Sequence, residues 1–71
     1  MKIKFKIEKV DPIPPKYITL AKDKYKAWCY AGLIEPVPEC TIKFVNRDGH
    51  ITASYVDKEG CQIAEKLIIR T

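Results

Sequence analysis

The side chains that could do chemistry in this sequence are few: His50, the cysteines Cys29, Cys40 and Cys61, and nine scattered acids. A general acid or base must stand within reach of the proton it moves. His50 is the only histidine, and it falls beside a turn on the polar side of its strand, where an imidazole is ordinarily solvated. Asp11, Glu35, Glu39, Asp48, Asp57 and Glu59 lie in separate loops or connectors, so no two of them make an acid–base pair. No nucleophile elbow, metalloprotease helix, phosphate loop or dinucleotide fingerprint occurs. The expectation is a protein that is not an enzyme and uses no cofactor.

Three cysteines are an odd number, and no two are spaced as CxxC. A disulfide framework wants an even count and a secreted context, so free, buried thiols in a reducing cytoplasm are expected. A zinc site could be assembled on paper from the cysteines and His50. Structural zinc draws its ligands in closely spaced pairs. Cys40 falls at the opposite end of a hairpin from His50 and on the other face, so no metal is expected.

The positive charge is better organised. The chain carries 13 Lys and Arg against nine acids, for a net charge of +4. Its pI is near 9.0, which favours an acidic partner without choosing among nucleic acid, membrane surface and protein. In residues 2–10, Ile3, Phe5 and Ile7 alternate with Lys2, Lys4, Lys6 and Glu8, the period of a half-buried strand. If later strands alternate likewise, one sheet face collects Lys2, Lys4, Lys6, Lys43, Arg47, His50, Lys66 and Arg70, with Thr41, Val45, Thr52, Ser54 and Val56 between them. Glu8 is the one acid expected there. The candidate binding residues are accordingly Lys2, Lys4, Lys6, Lys43, Arg47, His50 and Arg70. A sheet packed on a helix always exposes its other face, and lysine commonly guards edges, so solvated surface is the competing reading.

Positioning that face takes several elements. Asp11-Pro12-Ile13-Pro14-Pro15 ends the first strand. Over residues 16–32, Ile18, Ala21, Tyr25, Trp28 and Ala31 recur at spacings of three and four, which predicts a helix with one apolar stripe, a hairpin being the alternative that the aromatic density leaves. Thr19 or Asp23 is expected to cap its start. Gly32 followed by Leu33 fits a Schellman ending with Leu33 folded back on the last turn. The proline-rich residues 35–39 read as a stiff connector. Two alternating runs, residues 41–46 and 50–56, flank Asp48-Gly49, a preferred centre for a type I′ hairpin turn. A two-residue loop pairs Phe44 with Ala53 and Ile42 with Tyr55, gathering Ile42, Phe44, Ile51, Ala53 and Tyr55 on one face, and a four-residue loop would keep the same faces. A one-residue slip would mix the faces. At residues 57–60, a three-residue loop with left-handed Gly60 sets Tyr55 against Ile63 and Ile51 against Leu67. This leaves Glu65 on the apolar face. Residues 62–70 contain good helix formers, but their β-branched end favours strand.

These elements predict one α+β domain spanning residues 1–71: a helix packed on a small, mostly antiparallel sheet of about four strands. A small SH3-like or other all-β barrel is the alternative. No apolar run resembles a signal peptide or a membrane span, so a cytoplasmic location without membrane contact is expected. The function expected is docking of an acidic surface on a larger protein partner. The alternative is weakly sequence-specific binding to a nucleic-acid backbone, and no small-molecule substrate is evident. Phe5, Phe44 and Tyr55 fall on the inner face, which leaves the basic face without the aromatic platform that single strands stack on.

The hairpin yields a direct test. A type I′ turn holds both central residues at positive φ, which a β-branched side chain resists by about 1–2 kcal/mol. Gly49→Val should lower the urea midpoint accordingly; an unchanged midpoint would show that the turn is of another type.

Overall fold

The computed structural model describes residues 3–10 and 12–70, the side chain of Arg70 excepted. In chain order the elements are β1 (Lys4–Lys9), α1 (Pro15–Tyr30), β2 (Glu39–Arg47), β3 (His50–Val56) and β4 (Gln62–Arg70). The strands form one open sheet in the order β1-β2-β3-β4, with the helix packed on one side. This is the expected α+β arrangement; the sheet does not close into a barrel. β1 pairs with β2 in parallel, and the other two pairings are antiparallel. The parallel pair follows from the helix between its strands, which carries the chain back to the end from which it started.

The helix begins differently from the expectation. Pro14 occupies the N-cap, Pro15 the first turn, and among the described residues no side chain caps this end. Thr19 and Asp23 both lie inside the helix. Proline fits this start because it lacks the N–H that would go unpaired there, and its ring presets φ. The other end is as expected. Leu33 N donates to Trp28 O at 3.0 Å and Gly32 N to Cys29 O at 3.1 Å, the paired bonds of a Schellman motif. Gly32 takes the left-handed conformation, with φ of 78°. Leu33, however, does not fold down against the last turn: its side chain is exposed, as is Ala31.

The β2–β3 hairpin has the expected register, Phe44 opposite Ala53 and Ile42 opposite Tyr55, closed by Arg47 opposite His50. Asp48 and Gly49 have φ of 53° and 78°, the two positive angles of a type I′ turn. Ile42, Phe44, Ile51, Ala53 and Tyr55 are all fully buried.

β4 is a strand, and its turn forms as expected while its register does not. Asp57 N donates to Cys61 O, Gly60 N donates to Asp57 O, and the Asp57 carboxylate accepts from the N–H groups of Glu59 and Cys61. Gly60 is left-handed, with φ of 86°. Beyond Val56–Gln62, however, two one-residue shifts move the pairing to Tyr55–Ala64 and then Ala53–Leu67. Ile51 therefore faces Ile69, and Tyr55 faces Ala64 instead of Ile63. Glu65 supplies the reason. An uninterrupted ladder would set its carboxylate in the core, whereas the bulges put Ala64 opposite Tyr55 and leave Glu65 exposed. The local change of twist also ends the simple alternation at Val56, expected on the outer face but buried.

Four rings join the helix to the sheet. Tyr25 and Tyr55 stack with centroids 5.7 Å apart, while Phe5 meets Tyr25 and Trp28 meets Tyr55 edge-on at 5.8 and 5.3 Å. The Tyr55 hydroxyl donates to the Ala21 carbonyl at 3.0 Å, and Ala21 and both tyrosines are fully buried. Ile13, within the proline connector, also enters the core. The Tyr25 hydroxyl is buried with the Val37 backbone and the Cys29 thiol as polar neighbours, and it makes no hydrogen bond of ordinary length and angle.

The two tyrosines should therefore respond oppositely to loss of the hydroxyl. Tyr55→Phe removes a satisfied buried bond and should cost about 1 kcal/mol in urea unfolding. Tyr25→Phe removes an unsatisfied polar atom and should be neutral or stabilising by up to about 1 kcal/mol. Equal destabilisation by both changes would contradict this assignment.

Candidate binding face of the sheet

The face of the sheet turned away from the helix carries the residues that strand alternation singled out. Reading along it by register, Lys4 stands beside Glu39, Lys6 beside Thr41, and Glu8 beside Lys43. Lys43 is followed by Ser54, Val45 by Thr52 and then Ile68, and Arg47 by His50 and then Arg70. Lys4, Lys6, Lys43, Arg47 and His50 are all exposed, as the alternation requires. Lys2 lies outside the described residues, and Arg70 is placed by its backbone, opposite His50.

The acids are distributed differently from the expectation. β2 starts at Glu39, so this residue belongs to the strand and, by alternation, to the same face as Thr41 and Lys43. Glu39 beside Lys4 and Glu8 beside Lys43 together dilute positive charge over the β1 half. Charge is less offset at the other end. There Arg47, His50 and Lys66 border a shallow groove with Val45 and Thr52, and Asp48 at the turn is the one acid among the lining residues. The candidate cations thus do not act as one patch. Arg47 and His50 come together with Lys66, whereas Lys4 and Lys6 stand on the far strand.

The face beside this groove has an apolar component that charge counting misses. Val45, Thr52 and Ile68 lie in one register row, and Ile68 is 62% exposed. The bulges of β4 make this row hard to foresee, because they move Ile68 opposite Thr52. Phe5, Phe44 and Tyr55 face the helix side, in contact with the core.

The thiols form no common site with His50. All three are free; Cys40 is buried as expected, whereas Cys29 is only half-buried and Cys61, beside the Gly60 turn, is exposed. Among the described residues, no group of three or more His, Cys, Asp and Glu is placed to hold a metal ion. Burial and then the neighbouring Cys29 push the Cys40 thiol up to about 11, against an ordinary 9.0. Burial, aided by Cys40 and Cys29, pushes the Tyr25 hydroxyl up to about 12. Burial raises Tyr55 as well, with Cys40 adding to it. Cys40 is therefore a neutral core thiol, poorly suited to act as a nucleophile.

No helix among the described residues is long and apolar enough to cross a membrane. Comparison with protein-family models, with curated proteins and with solved structures finds no match to this chain.

The raised pKa values set an alkaline limit on stability. Cys40, Tyr25 and Tyr55 hold their protons more tightly when folded, so the unfolded chain releases them first as pH rises. Stability should be unaffected by these groups below the ordinary thiol value of 9.0 and should decline between there and about 12. Urea midpoints measured across that range check the direction. A thiol reagent at neutral pH should label Cys61 at once and Cys40 only as the chain unfolds.

Proposed function

We propose that this chain is a non-catalytic binding domain that docks an acidic surface of a larger protein through the open face of its sheet. The observation that carries the reading is the row Val45–Thr52–Ile68 beside Lys43 on one side and Arg47, His50 and Arg70 on the other. An apolar centre within a charged rim is the anatomy of a protein interface, where desolvation at the centre supplies affinity and the rim supplies steering. A nucleic-acid backbone needs cations alone, and a single strand gains most from exposed rings. On this face the rings are turned inward and the β1 cations stand beside Glu8 and Glu39.

Lys66 joins Arg47 and His50 as a binding residue in this reading, Lys43 flanks them, and Lys4 and Lys6 contribute only long-range attraction. The groove is formed by strands rather than loops, so its geometry is preset and little ordering is lost on binding.

The test is a double charge reversal, Arg47→Glu with Lys66→Glu. Both side chains are exposed, so each change should alter stability by about 0.5 kcal/mol or less. Immobilised wild-type protein should retain acidic partner proteins from a nuclease-treated lysate, and the reversed variant should retain them at least about tenfold less well. Capture abolished by nuclease, together with steep salt dependence on single-stranded DNA, would establish the nucleic-acid alternative instead. Full capture by the folded reversed variant would reduce the face to solvated surface.

A further inference from the structure

The backbone phase of the sheet identifies what its last strand leaves unpaired. Val10 N donates to Phe44 O at 3.1 Å, so the Phe44 backbone is directed to β1. Peptide groups alternate sides along a strand, which directs Lys43, Val45 and Arg47 to β3. Arg47 and His50 then form the bonded pair beside the turn, and the next residues, Ile51 and Ala53, are directed to β4. Their partners there are Ile69 and Leu67. By the same alternation, Ile68 and Arg70 present their N–H and C=O groups to the outer edge of β4. Among the described residues no strand pairs with that edge.

Both sheet edges are open, but they are protected differently. On β1 the outer-face side chains are Lys4, Lys6 and Glu8, a charged series that discourages strand addition. On β4 the bulges lie between Gln62 and Leu67, and they distort that half of the edge. Residues 67–70 pair without interruption, and Ile68 stands exposed between Lys66 and Arg70 in the alternation. The unguarded half of β4 is also the half next to Arg47 and His50.

We propose that an extended acidic segment of the protein partner adds to the sheet as a fifth strand along residues 67–70. The proposal rests on the protein-docking reading above and specifies how the partner is held. Main-chain bonds to Ile68 and Arg70 supply the anchorage, and side chains two residues apart supply selectivity. On the outer face, the segment sets an apolar residue beside Ile68 and acids on either side of it, toward Lys66 and toward the row of Arg70 and His50. Charge argues for this occupant over a second copy. An antiparallel copy centred on Ile68 would oppose Lys66 of one chain to Arg70 of the other, on molecules that each carry +4.

The probe is a blocked peptide containing Glu-Thr-Val-Thr-Glu, with Thr-Glu-Val-Glu-Thr as a control of equal composition and charge. The first should protect the Ile68 and Arg70 amides from hydrogen exchange and should bind at least about tenfold more tightly than the control, since only it matches the alternation. Ile68→Pro deletes an edge donor while sparing the bonds to β3, and should weaken the first peptide about tenfold or more. Should that variant fail to fold, exchange in the wild-type protein decides the matter. Equal binding of both peptides without protection at Ile68 and Arg70 overturns strand addition and leaves docking on the face intact. Failure of the first peptide to bind also overturns it, as does protection of those amides by self-association alone. Failure of the wider reading shows separately, as undiminished partner capture by the charge-reversed variant.

Discussion

The hydrogen bond from the Tyr55 hydroxyl to the Ala21 carbonyl, with the stack of Tyr55 on Tyr25, fixes the one helix to the one sheet. A domain this small buries only about 60% of the surface its unfolded chain exposes, so a few large side chains must supply most of the stability. Tyr55 does so from the middle of the sheet. Ile42 and Ala64 flank it in register, Trp28 meets its ring edge-on, and Ala21 has no side chain long enough to keep the helix backbone away. The arrangement also commits the sheet's faces. With the rings of Phe5, Phe44 and Tyr55 drawn to the helix side, no second layer among the described residues covers the opposite face, which carries cations, two acids, hydroxyls and a few aliphatic side chains.

That commitment was legible where the determining chemistry is local. Asp48-Gly49 between alternating runs specifies turn, register and buried face together, because any odd slip would exchange the core residues for Lys43 and Thr52. Gly32 and Gly60 mark left-handed positions for the same reason: their neighbours on both sides require a chain reversal. The helix start was less legible. Thr19 and Asp23 have capping chemistry, but the helix itself extends upstream through Ile18 and Tyr17 to Pro15, and proline needs no cap to begin a helix. Ile13 was missed as a core residue because the prolines on both sides of it read as connector.

The remaining differences are non-local. The alternation of β1 fixes which side chains are buried, but not whether the strand runs parallel or antiparallel to its neighbour; the length of chain returning through α1 decides that. The shifts in β4 arise from one conflict between pattern and ladder. Gly60 sets a register that would bury Glu65, and removing that carboxylate from the core requires an extra residue. A second shift then restores the original face parity, so that Leu67 and Ile69 still point inward. Glu39 was misplaced for a related reason. Adjacent Pro38 reads as the end of a connector, yet proline is tolerated just before a strand, and the ladder begins immediately after it.

The same conflict shapes the candidate site. Without the two shifts, Thr52 would lie opposite Lys66, and the outer row beyond Val45 would be wholly polar. With them, Ile68 takes that place and Lys66 moves to the border of the groove. A carboxylate excluded from one face thereby brings an apolar residue to the edge strand of the other. The shifts also divide the edge of β4 into a distorted half, resistant to further pairing, and a regular half beside Arg47 and His50. Open face and open edge therefore share one origin. A helix that covers only one side of the sheet leaves both available, and the bulge forced by Glu65 determines which portion of each adjoins the other.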